Sequence, residues 1–158
     1  MFTTVRMRRT LVGLSGSPNR FGTIPTRRPN VGIDVTGTSI DGERSYDDAQ
    51  FSARTIHESE RQKVVLGYFE PGQFIPVHAP DSDVAITVLS GSGVVRDGTE
   101  EYRVEPGSVV AVPAGTERGV RASDEERLEA TLVTAPPPSD AEHEPVRRGL
   151  RTGQFDPE

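Results

Sequence analysis

Residues 71–93, PGQFIPVHAPDSDVAITVLSGSG, and residues 106–115, PGSVVAVPAG, decide the architecture of this chain. In the first stretch Gly72 is followed, after five residues, by His78, and the run closes at Gly91. In the second, Gly107 is followed after five residues by Pro113 and then Gly115. Pro-Gly at 71–72 and 106–107 and the Ser-Gly pairs of 90–93 put tight reversals at the ends of short apolar runs. Glycine at such corners supplies positive φ at no steric cost. Between the corners, residues 84–89 and 108–113 are rich in valine and isoleucine, which suit a pleated, half-buried surface.

Working outward, residues 63–69, 73–78, 94–96, 101–104, 119–122 and 127–134 also read as strands. In the last, Leu128, Ala130 and Leu132 alternate onto one face. Asp97-Gly98 reads as a type I′ hairpin turn. Eight short strands with frequent turn signals predict an all-β fold, a sandwich or a small barrel, in one domain. No repeat of solenoid period is visible. The end of the chain differs. Pro136-Pro137-Pro138 is a stiff connector, and Ser139 to Glu142 has capping-box spacing. A short C-terminal helix is expected to about Leu150, kinked or split by Pro145, with Val146 and Leu150 docking it on the barrel.

The chain has 158 residues, with no cysteine and no tryptophan. Disulfide scaffolds, Cys-based zinc or iron–sulfur sites and cysteine nucleophiles are excluded. No apolar run is long enough for a membrane span. The net charge of −6 is unevenly spread: residues 1–40 carry six Arg against Asp34, and the remainder carries the acidic excess. An acidic body repels nucleic acid, so neither nucleic acid nor membrane is an expected partner. Arg8-Arg9 followed by a short apolar run faintly resembles an export signal, but the run is too short, and a cytoplasmic protein is expected. Residues 1–45 read as a disordered basic tail or the product of a start codon placed too early, residues 46–135 as the barrel, and residues 136–158 as connector and helix. Seventeen Arg to a single Lys, Lys63, on an acidic body resembles the usage of salt-loving archaea, and a GC-rich genome has the same effect.

The spacings Gly72-x5-His78, later Gly91, and Gly107-x5-Pro113-x-Gly115 resemble the two motifs of the cupin superfamily. The whole body is similar to small stand-alone archaeal cupin-domain proteins. That resemblance implies a double-stranded β-helix, or jelly-roll barrel, with a small-molecule pocket at its mouth. It also implies a metal held by two His and a Glu of the first motif and a His of the second. Here those positions carry His78, Pro80, Val84 and Arg118. Proline and valine have no donor, and arginine stays protonated. One ligand of four survives, so no metal cofactor is expected, His78 being the weak candidate.

The other candidates keep two readings each. His78 is either a pocket residue, a ligand contact or acid–base group, or a packed histidine. Arg118 either grips a carboxylate or phosphate by two parallel hydrogen bonds, or pairs with Asp81, Asp83 or Glu117. Asp83, with Asp81 and Ser82, either faces the pocket or holds a solvated turn. Tyr68 and Phe74 either line the pocket or pack in the core. His57 and His143 read as surface or helix residues rather than ligands. Three functions follow: a small-molecule-binding cupin without the usual metal site, serving as sensor or storage module, with an anionic ligand favoured by Arg118; a metal-independent isomerase or epimerase, or a metalloenzyme with unusual ligands, using His78; and a homodimeric interaction module. A homodimer is expected under all three.

Overall fold

The structure, a computed structural model, describes residues 37–157. Residues 1–36, with the twin-Arg and basic-arm features, lie outside the described residues. A short helix α1 (Ile40–Glu43) precedes nine strands. These are β1 (Ser52–Glu58), β2 (Lys63–Phe69), β3 (Phe74–His78), β4 (Asp83–Gly91), β5 (Gly93–Asp97), β6 (Glu100–Val104), β7 (Val109–Val112), β8 (Arg118–Ala122) and β9 (Leu128–Ala135). A 3-10 turn at Ala141–His143 leads into α2 (Glu144–Thr152).

Two antiparallel sheets face each other, one ordered β1-β2-β9-β4-β7 and the other β3-β8-β5-β6. All eight expected strands form, and β1 is the addition. It is an edge strand with a bulge between Thr55 and His57, and its polar sequence shows no clean alternation. The β5–β6 hairpin also differs from expectation. Asp97 pairs with Glu100, so Gly98 and Thr99 are the loop, with Gly98 at φ 61°. Gly91, at φ 76°, is required for a second reason: a Cβ there would run into the backbone of Arg127.

The core lies between the sheets. Val84, Ile86 and Val88 of β4 alternate inward and meet Val95, Val120 and Leu128. Each fully buried Val, Leu or Ile removes enough apolar surface from water to contribute about 1.5–3 kcal/mol.

Residues 37–45 are not part of a disordered tail, which corrects the expected boundary. They fold over the outer face of β2 and β9. The Tyr68 hydroxyl donates to the Ile40 carbonyl at 2.7 Å. Glu129, only 3% exposed, accepts from Arg44 Nε at 2.5 Å and from the Tyr46 hydroxyl at 2.7 Å. These donors, Arg44 first, hold the Glu129 carboxyl below its ordinary range against the opposing effect of burial.

At the other end the Ser139–Glu142 capping box forms reciprocally. Glu142 Oε2 accepts from the Ser139 amide at 2.7 Å, and Ser139 Oγ faces the Glu142 amide at 3.4 Å. Pro145 splits the segment as expected, standing in the first turn of α2 after the 3-10 turn. The helix seats Gly149 against the Pro76 ring, where a Cβ would come within 2.6 Å. Beyond it, the Phe155 carbonyl accepts from the Val77 amide at 2.8 Å.

Candidate functional site

Two hollows stand out among the described residues. The larger, about 810 Å3, is a groove over the outer face of the four-stranded sheet. Its rim mixes Arg103 and Arg121 with Glu101, Glu105, Asp124 and Asp156, an acidic excess that does not favour an anion. The smaller, about 190 Å3, lies inside the mouth of the barrel. Its walls come from the inward faces of β1, β2, β9, β3 and β8. The C-terminal segment closes one side with Pro138, His143 and Val146. Concave and mostly apolar with a few polar groups, it has the character of a small-molecule site.

The apolar walls follow from strand alternation. Val65 and Gly67 on β2, Leu132 on β9 and Val120 on β8 point inward because their neighbours Leu66, Tyr68, Val133 and Arg121 point outward. At the mouth, antiparallel register places Lys63 opposite Thr134, and Thr134 opposite Val84. His78 stands opposite Arg118 in the other sheet.

His78 Nδ1 lies 2.8 Å from the Pro76 carbonyl. A carbonyl only accepts, so Nδ1 carries the proton and the neutral ring holds its lone pair on Nε2. Burial pushes the imidazole down to about 4; the bond to Pro76 opposes this and the Arg118 charge adds to it. His143 is also lowered, by burial and then by the charges of Lys63 and Arg147. Thr134 Oγ1 is buried and has no hydrogen-bond partner among the described residues. No Asp or Glu among the described residues lines this cavity.

Arg118 is 4% exposed and starts at the mouth, and its guanidinium meets Ser82 rather than Asp81, Asp83 or Glu117. Nη1 donates to the Ser82 carbonyl and Nη2 to Ser82 Oγ at 3.1 Å. Two of its five N–H donors are therefore engaged by the β3–β4 loop. It forms no ion pair with Asp81, Asp83 or Glu117. Burial lowers its pKa, with Asp83 and Glu142 opposing. It gives the cavity a fixed positive charge.

Three further candidates are placed elsewhere. Tyr68 faces away from the cavity, under α1, edge-on to Tyr46 at 5.7 Å. Burial is the main cause that raises its hydroxyl to about 12. Phe74 points out of the barrel and packs edge-on against Phe155 at 5.8 Å. Asp83 is exposed and accepts from the Ala114 amide at 2.9 Å, holding the turn after β7. The structure thus joins His78 and Arg118 at one mouth and separates Tyr68, Phe74 and Asp83 from it. It adds Lys63 and Thr134, which sequence reasoning missed, and His143, which reads from the sequence as a helix residue. The inward phase of β2 and β9 was legible for Lys63 and Thr134; nothing local marks His143.

The cupin domain family matches residues 65–134. TT1209 from Thermus thermophilus is 31% identical over 66% of this chain and 100% of its own, with a TM-score of 0.63. An RmlC-like cupin protein from Desulfovibrio desulfuricans is 30% identical over 66% of this chain and 99% of its own, with a TM-score of 0.59. A double-stranded β-helix domain protein from Klebsiella pneumoniae, 23% identical over 65% and 91% of the two chains, shares the fold at a TM-score of 0.60. No curated protein matches the chain. The chain belongs to the cupin superfamily.

The cupin frame implies a metal at the mouth, and the residues present do not fit one. His78 supplies one nitrogen, Pro80 and Val84 supply no donor, and Arg118 brings a buried positive charge to the fourth position. Among the described residues no three of His, Cys, Asp and Glu gather into a ligand group. No described helix is long and apolar enough to cross a membrane.

Proposed function

We propose that this protein is a small-molecule-binding cupin whose ligand sits in the barrel-mouth cavity. The observation that carries the reading is the hollow of about 190 Å3 with an apolar interior and a polar rim of basic and hydroxyl groups. An apolar protein cavity of about 150 Å3 accommodates benzene, so a compact organic molecule is the right scale. Ligand-observed NMR against compounds of up to about ten heavy atoms tests it, since that size matches the cavity. Hits should be lost in Val65→Phe, which fills the hollow. Hits that survive in a folded Val65→Phe protein contradict this site.

An enzymatic reading has one observation in its favour. His78, fixed as the neutral Nδ1–H tautomer, has a lone pair on Nε2 for proton abstraction from a bound substrate. No carboxyl partner lines the cavity among the described residues, so a metal-independent isomerisation rests on this one imidazole. Turnover by the purified protein that disappears in folded His78→Gln would establish it.

A homodimer is supported by the outer face of β4, β7 and the adjoining part of β9. Ala85, Thr87, Val109, Ala111 and Val133 form an uncharged strip there, bounded by Asp83 at one end, with Val109 66% exposed. A flat uncharged patch lets two copies of an acidic chain meet without facing like charges. Sedimentation should give a dimer that Val109→Asp splits; a wild-type monomer refutes the pairing.

A further inference from the structure

The buried and charged polar groups of the cavity gather at one end. Lys63 and Thr134 are directly paired across β2 and β9, so their side chains leave the same face of the sheet side by side. Thr134 Oγ1 is buried with its hydrogen-bonding capacity unused. That is costly unless something arrives to accept its proton. Lys63 Nζ lies 3.3 Å from Glu58, but Glu58 is half exposed at the rim, and such surface pairs are weak and exchangeable. His143 comes from the C-terminal turn on another side, and Arg118 adds a buried charge held in place by two hydrogen bonds to Ser82. The opposite end is Val65, Leu132, Ile75, Val120 and Phe51, where the lone hydroxyl is that of exposed Thr55 on the edge strand, opposite Val65.

We infer that the ligand class is a small monocarboxylate with a compact apolar body, its carboxylate seated at the mouth between Lys63 and Thr134 and its body against Val65 and Leu132. The inference rests on the cavity being the binding site. The volume, about 190 Å3, limits the body to a single ring or a short branched chain. Sugars and other polyhydroxy compounds are disfavoured, because their hydroxyls would be stripped of water against the aliphatic wall. The carboxylate is specified by a cation beside an unused hydroxyl donor, with no acidic side chain in the described lining to repel it.

The test is a titration of the full chain, followed by amide NMR shifts, with benzoate and isovalerate against their neutral isosteres benzamide and isovaleramide. The acids should shift the amides of residues 63–65 and 132–134 saturably and bind at least about tenfold tighter than the neutral compounds. Lys63→Met and Thr134→Val should each weaken the acids about five- to tenfold and leave the neutral compounds unchanged. Both variants keep the packing volume, and thermal melts establish that they are folded. Neutral isosteres that bind as well as the acids would leave the cavity as a ligand site and overturn the carboxylate class. Acids that bind equally to both variants would also overturn it, by placing the carboxylate elsewhere. Binding of none of the four compounds would overturn the cavity reading itself.

Discussion

Arg118 and Ser82 form a buried pair at the mouth of the barrel, the guanidinium holding both the carbonyl and the hydroxyl of Ser82, which is 0% exposed. The position that carries a metal histidine in the cupin pattern is used here to pin the β3–β4 loop. Removing the arginine leaves two buried acceptors without donors. Arg118→Ala should lower unfolding free energy by about 2–4 kcal/mol, and Ser82→Ala by about 1 kcal/mol. Urea denaturation of both variants checks this. Unchanged stability in Arg118→Ala would return the side chain to ligand binding alone.

Thr134 should behave in the opposite way. Its hydroxyl is buried without a partner, so Thr134→Val removes a desolvated polar group at nearly constant shape. The melting temperature of the unliganded protein should stay level or rise. A clear fall would mean that the hydroxyl has a partner in solution.

His78 should titrate at about 4, below its ordinary 6.5, mainly because it is buried. The unfolded chain then binds more protons than the folded one between these values. Stability from this group is present above about pH 6.5 and is lost as pH falls toward 4. Imidazole NMR should show a neutral ring at pH 6 with the proton on Nδ1. A midpoint near 6.5 would place the ring in solvent.

Glu142 ties the C-terminal segment to the mouth. Its carboxylate accepts from the Asp81 amide at 2.6 Å and from the Ser139 amide at 2.7 Å, and these bonds, Asp81 first, lower its pKa to about 2. Its stabilisation is complete above the unfolded value of 4.5 and is lost as pH falls toward about 2. The gap in melting temperature between wild type and Glu142→Gln should therefore be widest near neutrality and close as pH falls through this window. A gap that does not change with pH would contradict the role of the charge.

The N-terminal strap gives a different outcome from the one its composition suggests. Residues 37–45 carry Ile40, whose carbonyl satisfies Tyr68, and Arg44, whose guanidinium satisfies buried Glu129. Truncation after residue 45 should lower the melting temperature clearly, since it strands both groups. Arg44→Ala should reproduce part of that fall. An unchanged melt after truncation would show that the strap contributes nothing.

The sequence by itself determined the barrel. Gly72, Gly91, Gly107 and Gly115 all adopt positive φ, a local demand that only their spacing needs to reveal. Strand alternation likewise placed Leu128, Ala130 and Leu132 on one face, and Leu128 and Ala130 lie in the core with Leu132 packed against it. The capping box at Ser139–Glu142 was legible because its two partners are three residues apart. The tertiary structure alone decided what faces the cavity. Arg118 meets Ser82 across thirty-six positions, and Arg44 meets Glu129 across eighty-five. Tyr68 and Phe74 look like pocket residues by type, but which face of a strand is covered depends on distant segments, here α1 and Phe155. His143 reaches the mouth only because Pro76 and Gly149 fit closely enough to seat the terminal helix. A strand's period is written locally; the partner of a buried charge is set by where the chain returns.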